Sequence, residues 1–297
     1  MTQTAVQVRP AFGVTDLLLF TMAVIWGINF SVVKYATESF SPPALAGLRV
    51  GLAAMFLIGV AFTGARPHLS RRDILVLLLL GVLGNGLYQL FFVHGVSRTR
   101  AGNAALIVGS APAFIALFAR LRGLERVRGL TLAGIGMSVV GVALVIIGSA
   151  GSSAGETPLL GSLLVFGGVL CWTIYTILLQ PYTKRIHVVQ LSAITMVGGA
   201  VPLLFVSAPA LISTDWSAVS TGGWLALFYA SVVSMGVAYL FWYRGLRVLG
   251  PTRTAVYSNL QPIIALLVAW VFLRETPTAF QAVGAATIVA GVFLTRT

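Results

Sequence analysis

The chain has 297 residues, of which 58% are hydrophobic and only 9% charged, against roughly 25% charged in ordinary soluble domains. So little polar surface cannot coat a water-soluble globule, which excludes soluble enzymes and makes the lipid bilayer the solvent of most of the chain. The formal net charge of +12 lies in short basic clusters between apolar runs, the pattern of cytoplasmic loops, so no nucleic-acid partner is expected.

The first apolar run, from Asp16 to Ala36, is longer than a signal-peptide core, has no small-residue cleavage site and is followed at once by another run, which predicts a retained span. In all, ten spans are predicted, at about 16–37, 42–63, 73–95, 101–121, 129–149, 160–181, 189–208, 222–244, 252–273 and 279–295, each long enough to cross a bilayer. The fold class expected is an all-α integral membrane protein with ten transmembrane helices. Of the 19 Lys and Arg, 14 fall in the two tails and the even-numbered loops, four (Lys34, Arg98, Arg100, Arg274) on the other side, and Arg49 alone inside a span. The positive-inside rule then puts both termini in the cytoplasm of a bacterial inner membrane protein. The loops carrying Glu156 and Asp215 have no Lys or Arg and face outward. Glycine numbers 32, as expected where helices approach closely. The lone Cys171 lies in an apolar run with no His or Cys cluster around it, which predicts a packed thiol.

A shift of 150 residues superposes Gly86 on Gly236, Leu90 on Leu240, Phe91 on Phe241, Gly95 on Gly245, Ala105 on Ala255, Pro112 on Pro262, Glu125 on Glu275, Gly134 on Gly284 and Gly141 on Gly291. Near the start of each half a shift of 146 brings Trp26 onto Trp172. Two repeats, 1–150 and 151–297, are therefore expected. Each holds five spans, an odd number, so the second enters the membrane from the opposite side. Inverted repeats place a solute site near the midplane between the halves, where two similar units of opposite orientation can exchange conformations.

The run Trp26-Gly27-Ile28-Asn29-Phe30 followed by Lys34, then Pro42-Pro43 and Arg49, and in both halves a span with a central proline ending before a Glu, resembles the drug/metabolite transporter superfamily, specifically its ten-helix EamA-type members. The resemblance covers essentially the whole chain and is strongest to bacterial amino-acid exporters, including those for aromatic amino acids. It implies that helices 1, 3, 4, 6, 8 and 9 surround a central cavity, with 5 and 10 outside it.

All seven acids (Asp16, Glu38, Asp73, Glu125, Glu156, Asp215, Glu275) fall at span ends or in loops, so no intramembrane carboxylate is present to couple transport to protons or sodium. His68 and His187 lie in basic loops, and His94 near the outer end of helix 3 is read as an interfacial residue or a gate. No Ser/His/Asp set, metal-ligand cluster or phosphate loop stands out, so no catalytic residue, metal or cofactor is expected; a membrane-embedded enzyme is the alternative of a different class. No charge ring or carbonyl filter motif supports a channel.

What remains for a small-molecule substrate are midplane amides and aromatics at helical spacing: Asn85, Tyr88 and Gln89 on helix 3, Trp26 and Asn29 on helix 1, Trp172 and Tyr175 on helix 6, Tyr257 and Gln261 on helix 9. Amides buried in lipid without partners are costly, so such groups face another helix or a wet cavity. Tyr239 is an open case between the cavity and the border. Trp216 and Trp224 on one side, and Trp242, Tyr243 and Tyr182 on the other, are assigned to the aromatic belts of the membrane borders. Pro112 and Pro262 are read as hinges or packing kinks at equivalent points of helices 4 and 9. Lys34 either snorkels outward or pairs with Glu38 one turn on; Arg49, seven residues into helix 2, needs a partner, water or a substrate carboxylate. Together these features point to export of small organic solutes, amino acids first, by alternating access, with efflux of drugs or other metabolites as the second reading and passive transport as the expected energetics.

Overall fold

A computed structural model describes residues 13–62, 69–123, 129–149, 157–276 and 278–294. Glu125, Glu156 and His68 fall outside the described residues. Among the described residues ten helical rods follow one another: α1 (Val14–Ala36), α2 (Pro42–Phe62), α3 (Arg71–Arg98), α4 (Ala101–Leu121), α5 (Gly129–Ser149), α6 (Pro158–Arg185), α7 (Val188–Ile212), α8 (Thr221–Val248), α9 (Pro251–Tyr257 and Leu260–Leu273) and α10 (Ala279–Leu294). No strand occurs among the described residues. Eight of the rods are long and apolar enough to cross a membrane; α5 and α10 contribute the shorter apolar stretches Leu132–Gly148 and Ala279–Gly291. Backbone groups in hydrocarbon must be satisfied within their own segment, and that requirement turns these apolar runs into helices.

Four rods depart from the regular α-helix, in two matching pairs. α3 opens into a π-helical turn at Val82–Leu87, and α8 does so at Tyr229–Val237. α4 stops at Val108 and resumes at Ala111, and α9 stops at Tyr257 and resumes at Leu260. The prolines account for both interruptions: the ring of Pro112 is aimed at the carbonyl of Val108, and that of Pro262 at the carbonyl of Ser258, four residues back. Each chain therefore turns just before its proline, which then sits near the start of the second segment where its missing N–H costs least. The interruptions thus lie at the links Gly109–Ser110 and Ser258–Asn259, with Pro112 and Pro262 as their cause.

The helix pairings also match. α3 packs on α6 and α8 on α1; α4 packs on α6 and α9 on α1; α3 packs on α7 and α8 on α2; α2 meets α7, and α5 meets α10. Large apolar side chains such as Phe205, Ile212, Phe272 and Phe293 are exposed on the outside of this bundle. Inside it, small residues let backbones touch, since packing rather than hydrophobicity drives helix association in lipid. A Cβ on Gly81 would fall on the carbonyl oxygen of Thr195, and one on Gly198 on that of Leu78, so α3 and α7 meet backbone to backbone.

Polar side chains tie the two ends of the bundle. At one, Lys34 Nζ donates to the carbonyls of Val96 (3.2 Å), Ser97 (3.0 Å) and Thr99 (2.9 Å) at the end of α3. The Glu275 carboxylate accepts from the Ala101 and Gly102 N–H groups at the start of α4, at 3.1 and 3.2 Å. Arg100 donates to the Thr276 carbonyl (3.0 Å), and Gln281 to the Asn103 amide oxygen (2.8 Å). At the other end the Tyr257 hydroxyl donates to Asp16, and Arg185 pairs with Asp73 at 3.0 Å.

Candidate functional site

Where the interrupted and π-opened helices cross, they enclose a cavity of about 40 Å³, room for roughly three waters at ~10–15 Å³ each. The walls come from α1, α3, α4, α6, α8 and α9, the six helices the family resemblance implied, and α2 adds Arg49. Neither α5 nor α10 reaches it.

An aromatic box forms one side. Trp172 lies 5.9 Å from Trp26, 5.3 Å from Tyr88, 5.5 Å from Tyr239 and 5.5 Å from Trp242, ring centre to ring centre. Trp26 reaches it from α1, Tyr88 from α3, Trp172 from α6, and Tyr239 and Trp242 from α8. The pairs with Trp26 and Tyr239 are edge-to-face and those with Tyr88 and Trp242 tilted; aromatic pairs add about 0.5–1.5 kcal/mol each beyond area burial. The assignment of Trp242 and Tyr243 to a border belt is corrected: both are fully buried, because the π-turn of α8 rotates the following turns toward the bundle axis. Tyr239, the open case, lines the cavity. Tyr182 is half-buried under the Arg185 guanidinium, while Trp216 and Trp224 are partly exposed and stacked on each other.

Of the polar groups expected at the site, Asn29, Gln89 and Gln261 line it. Asn85, predicted to share the face of Tyr88 and Gln89, does not: the wider π-turn that contains it shifts its side chain away, and its backbone packs against Gly199 of α7. Tyr175 is likewise off the cavity, its hydroxyl hydrogen-bonded to that of Tyr243. Tyr257 and Gln261 were expected on one helical face, but the interruption at Ser258–Asn259 separates them, so Gln261 enters the cavity while Tyr257 turns to Asp16. Phe30, Phe92, Ser234, Met235 and Ser258 line the cavity without having been singled out; apolar residues and serines in apolar runs carry no signal of this in a sequence.

The cationic residues divide sharply. The pairing of Lys34 with Glu38 is corrected: the ammonium has three protons and all three go to carbonyls at the end of α3, where a helix C-terminus attracts a cation. Glu38 stays exposed in the turn after α1. His94 is half-buried, with Nδ1 3.1 Å from Arg98 Nη1, and it does not line the cavity. Arg49 does, at 1% exposure. Its Nη1 donates to Gln89 Oε1 (3.2 Å), its Nε and Nη2 share the Ala230 carbonyl at 3.4 Å each, and its guanidinium carbon sits 5.7 Å from the Phe92 ring centre. A π-turn leaves carbonyls without regular helical partners, and side chains take them up: Arg49 at Ala230, and the Trp26 indole N–H at Ser234 (2.9 Å). Gln89 completes the chain by donating to the Tyr239 hydroxyl at 3.3 Å.

Two cavity atoms are buried without a hydrogen-bond partner, Asn29 Oδ1 and Trp242 Nε1. An unmet buried polar group costs about 1–3 kcal/mol, and these two atoms belong to residues that line the site. Among the described residues no acidic side chain lines it, and no group of three His, Cys, Asp or Glu is placed to hold a metal. The arrangement suits binding of a small organic molecule with an aromatic or apolar body.

Comparison with known proteins agrees with this architecture. The profile of the EamA-like transporter family matches residues 13–147 and again residues 159–297. The "Uncharacterized transporter YyaM" of Bacillus subtilis is 31% identical over 281 residues, covering 93% of this chain and 91% of the relative. An "Uncharacterized transporter" of Archaeoglobus fulgidus is 30% identical over 292 residues, covering 95% and 96%. The "Uncharacterized inner membrane transporter YedA" of Escherichia coli is 28% identical over 305 residues, covering 97% and 91%. A crystallographically solved chain at 21% identity superposes with a TM-score of 0.67 over 94% of this chain and 95% of its own length, which shows a shared fold. The chain therefore belongs to the EamA-like transporter family and is a multi-pass membrane transporter.

Proposed function

We propose that this transporter exports small organic solutes, amino acids first, by alternating access through the central cavity, and that it does so from the bacterial inner membrane with both termini in the cytoplasm. The observation that carries the reading is the position of the cavity, walled by the two interrupted helices α4 and α9 and by the two π-opened helices α3 and α8. Such irregular backbone is tolerated at membrane depth where it lines a cavity or is buried in protein. The matched irregularities, the matched helix pairings and the double family match support ten spans in two inverted repeats, residues 1–150 and 151–297, with α5 and α10 spanning outside the cavity. In the alternating-access scheme the links at Gly109–Ser110 and Ser258–Asn259 let the half-helices swing while the aromatic box stays near the midplane. The name of the Escherichia coli relative supports the inner membrane.

Transport is passive in this reading, because no acidic side chain lines the cavity and His94 stands apart from it; cationic drugs are disfavoured for the same reason. Purified protein in proteoliposomes, screened against radiolabelled amino acids and other metabolites, is the deciding measurement. Counterflow of at least one solute is expected with equal pH on both sides and no membrane potential. Uphill accumulation driven by an imposed pH gradient and abolished by a protonophore would refute the passive part, and failure of every solute would refute the transporter's assignment to organic solutes. Tags at Met1 and Thr297 should both resist labelling from the periplasm of intact cells.

A further inference from the structure

We infer that Arg49 is an anion-binding residue of the central cavity, so that the solutes carried bear a carboxylate or another single anionic group, alone or within a zwitterion; the inference rests on the central cavity being the transport site.

A guanidinium has five N–H donors. Three of the five are directed at two neutral oxygens, Gln89 Oε1 and the Ala230 carbonyl, and the two bonds to Ala230 are long at 3.4 Å. Among the described residues two of its N–H groups have no acceptor and no carboxylate is paired with it, although it is 1% exposed. A buried cation without a counter-ion inside a membrane protein faces a partner or a water-filled path, and here it faces the cavity. The remaining wall fits the same ligand. Trp242 Nε1 is an unpaired donor suited to an anionic oxygen, Asn29 Oδ1 is an unpaired acceptor suited to an ammonium, and the rings of Trp26, Tyr88 and Trp172 are placed for the body of the solute. Holding the helix-breaking geometry of α8 requires only a neutral donor at Ala230, as Trp26 supplies at Ser234. A permanent charge is more than that role needs.

Gln89→Glu separates the two roles of Arg49. The glutamate keeps the shape, accepts from Arg49 at the same place and can accept from the Tyr239 hydroxyl in place of donating to it, so folding is retained while the guanidinium acquires an internal counter-ion. Arg49→Gln removes the charge directly. Four probes sharing one ring system are titrated into the purified full chain: indole-3-propionate, L-tryptophan, tryptamine and indole. The native protein should bind the first two and discriminate against tryptamine. Both variants should weaken the two carboxylates roughly tenfold or more, the range of a charge-assisted hydrogen bond, relative to indole. Tighter binding of indole-3-propionate than of L-tryptophan assigns the site to simple anions; the reverse order assigns it to amino acids. Tryptamine binding as well as the carboxylates, an equal loss for all four probes in both variants, or no binding by any probe overturns the inference. Should Arg49→Gln fail to fold, Gln89→Glu decides alone. The transporter reading is separate and falls only if the wider proteoliposome screen finds no carried solute.

Discussion

The two π-turns occupy matching places in the chain yet are held by opposite means. In α3 the turn at Val82–Leu87 lies against the backbone of α7, where Gly198 and Gly199 leave no room for a side chain, and Gly84 lies under the Tyr175 ring. In α8 the turn at Tyr229–Val237 is held by long side chains, Arg49 reaching Ala230 and Trp26 reaching Ser234. One turn is thus held by a close backbone contact and the other by a charged, cavity-facing group. Two similarly opened helices can therefore serve an asymmetric solute: the opening is common to both, and the charged group sits at one of them.

The contrast predicts failures of different kinds. The largest effect belongs to the α3–α7 contact, where Gly198→Leu drives a side chain into the Leu78 backbone. Overpacking costs about 1–3 kcal/mol where side chains can yield, and a backbone neighbour yields less, so the variant should give little monodisperse protein on size exclusion in detergent. A folded, transport-competent Gly198→Leu would show that the two turns are not held differently. Arg49→Gln tests the other side: the protein should fold, with a melting temperature within several degrees of the native one, while losing its preference for carboxylates.

Smaller losses are expected within the aromatic box, which both halves build. Trp172→Ala or Tyr88→Ala should lower transport roughly two- to tenfold at unchanged expression, from about 0.5–1.5 kcal/mol of ring contact. Unchanged flux in both variants would remove them from the pocket. Glu275→Gln weakens the carboxylate's hold on the start of α4, a capping contact of about 0.5–2 kcal/mol, and should lower the melting temperature by a few degrees. The smallest effect is predicted at Tyr257, which turns to Asp16 rather than to the cavity: Tyr257→Phe should leave transport within about twofold of native, and a larger drop would restore Tyr257 to the site.

Much of the site was legible before the fold. Polar and aromatic groups in an apolar span must face something other than lipid, which singles out Trp26, Asn29, Gln89 and Trp172, and all four line the cavity. Arg49 stood out as the one cation inside a span. The errors share a cause. Asn85 and Tyr257 were placed by counting three and four residues along a regular helix, and both lie where the helix is not regular, one within a π-turn and one beside an interruption. Trp242 and Tyr243 were assigned to the border by their distance along α8, which a π-turn makes a poor measure of direction.

The sequence by itself determined that the chain lives in lipid and where its helices run, since both follow from local composition and spacing: the bilayer demands apolar runs of fixed length. Only the tertiary structure decided which way the side chains point. A π-turn depends on partners from distant helices, Arg49 and Trp26 for α8 and the glycines of α7 for α3. The chemistry of the cavity is set by those long-range contacts, and no local pattern along the chain encodes them.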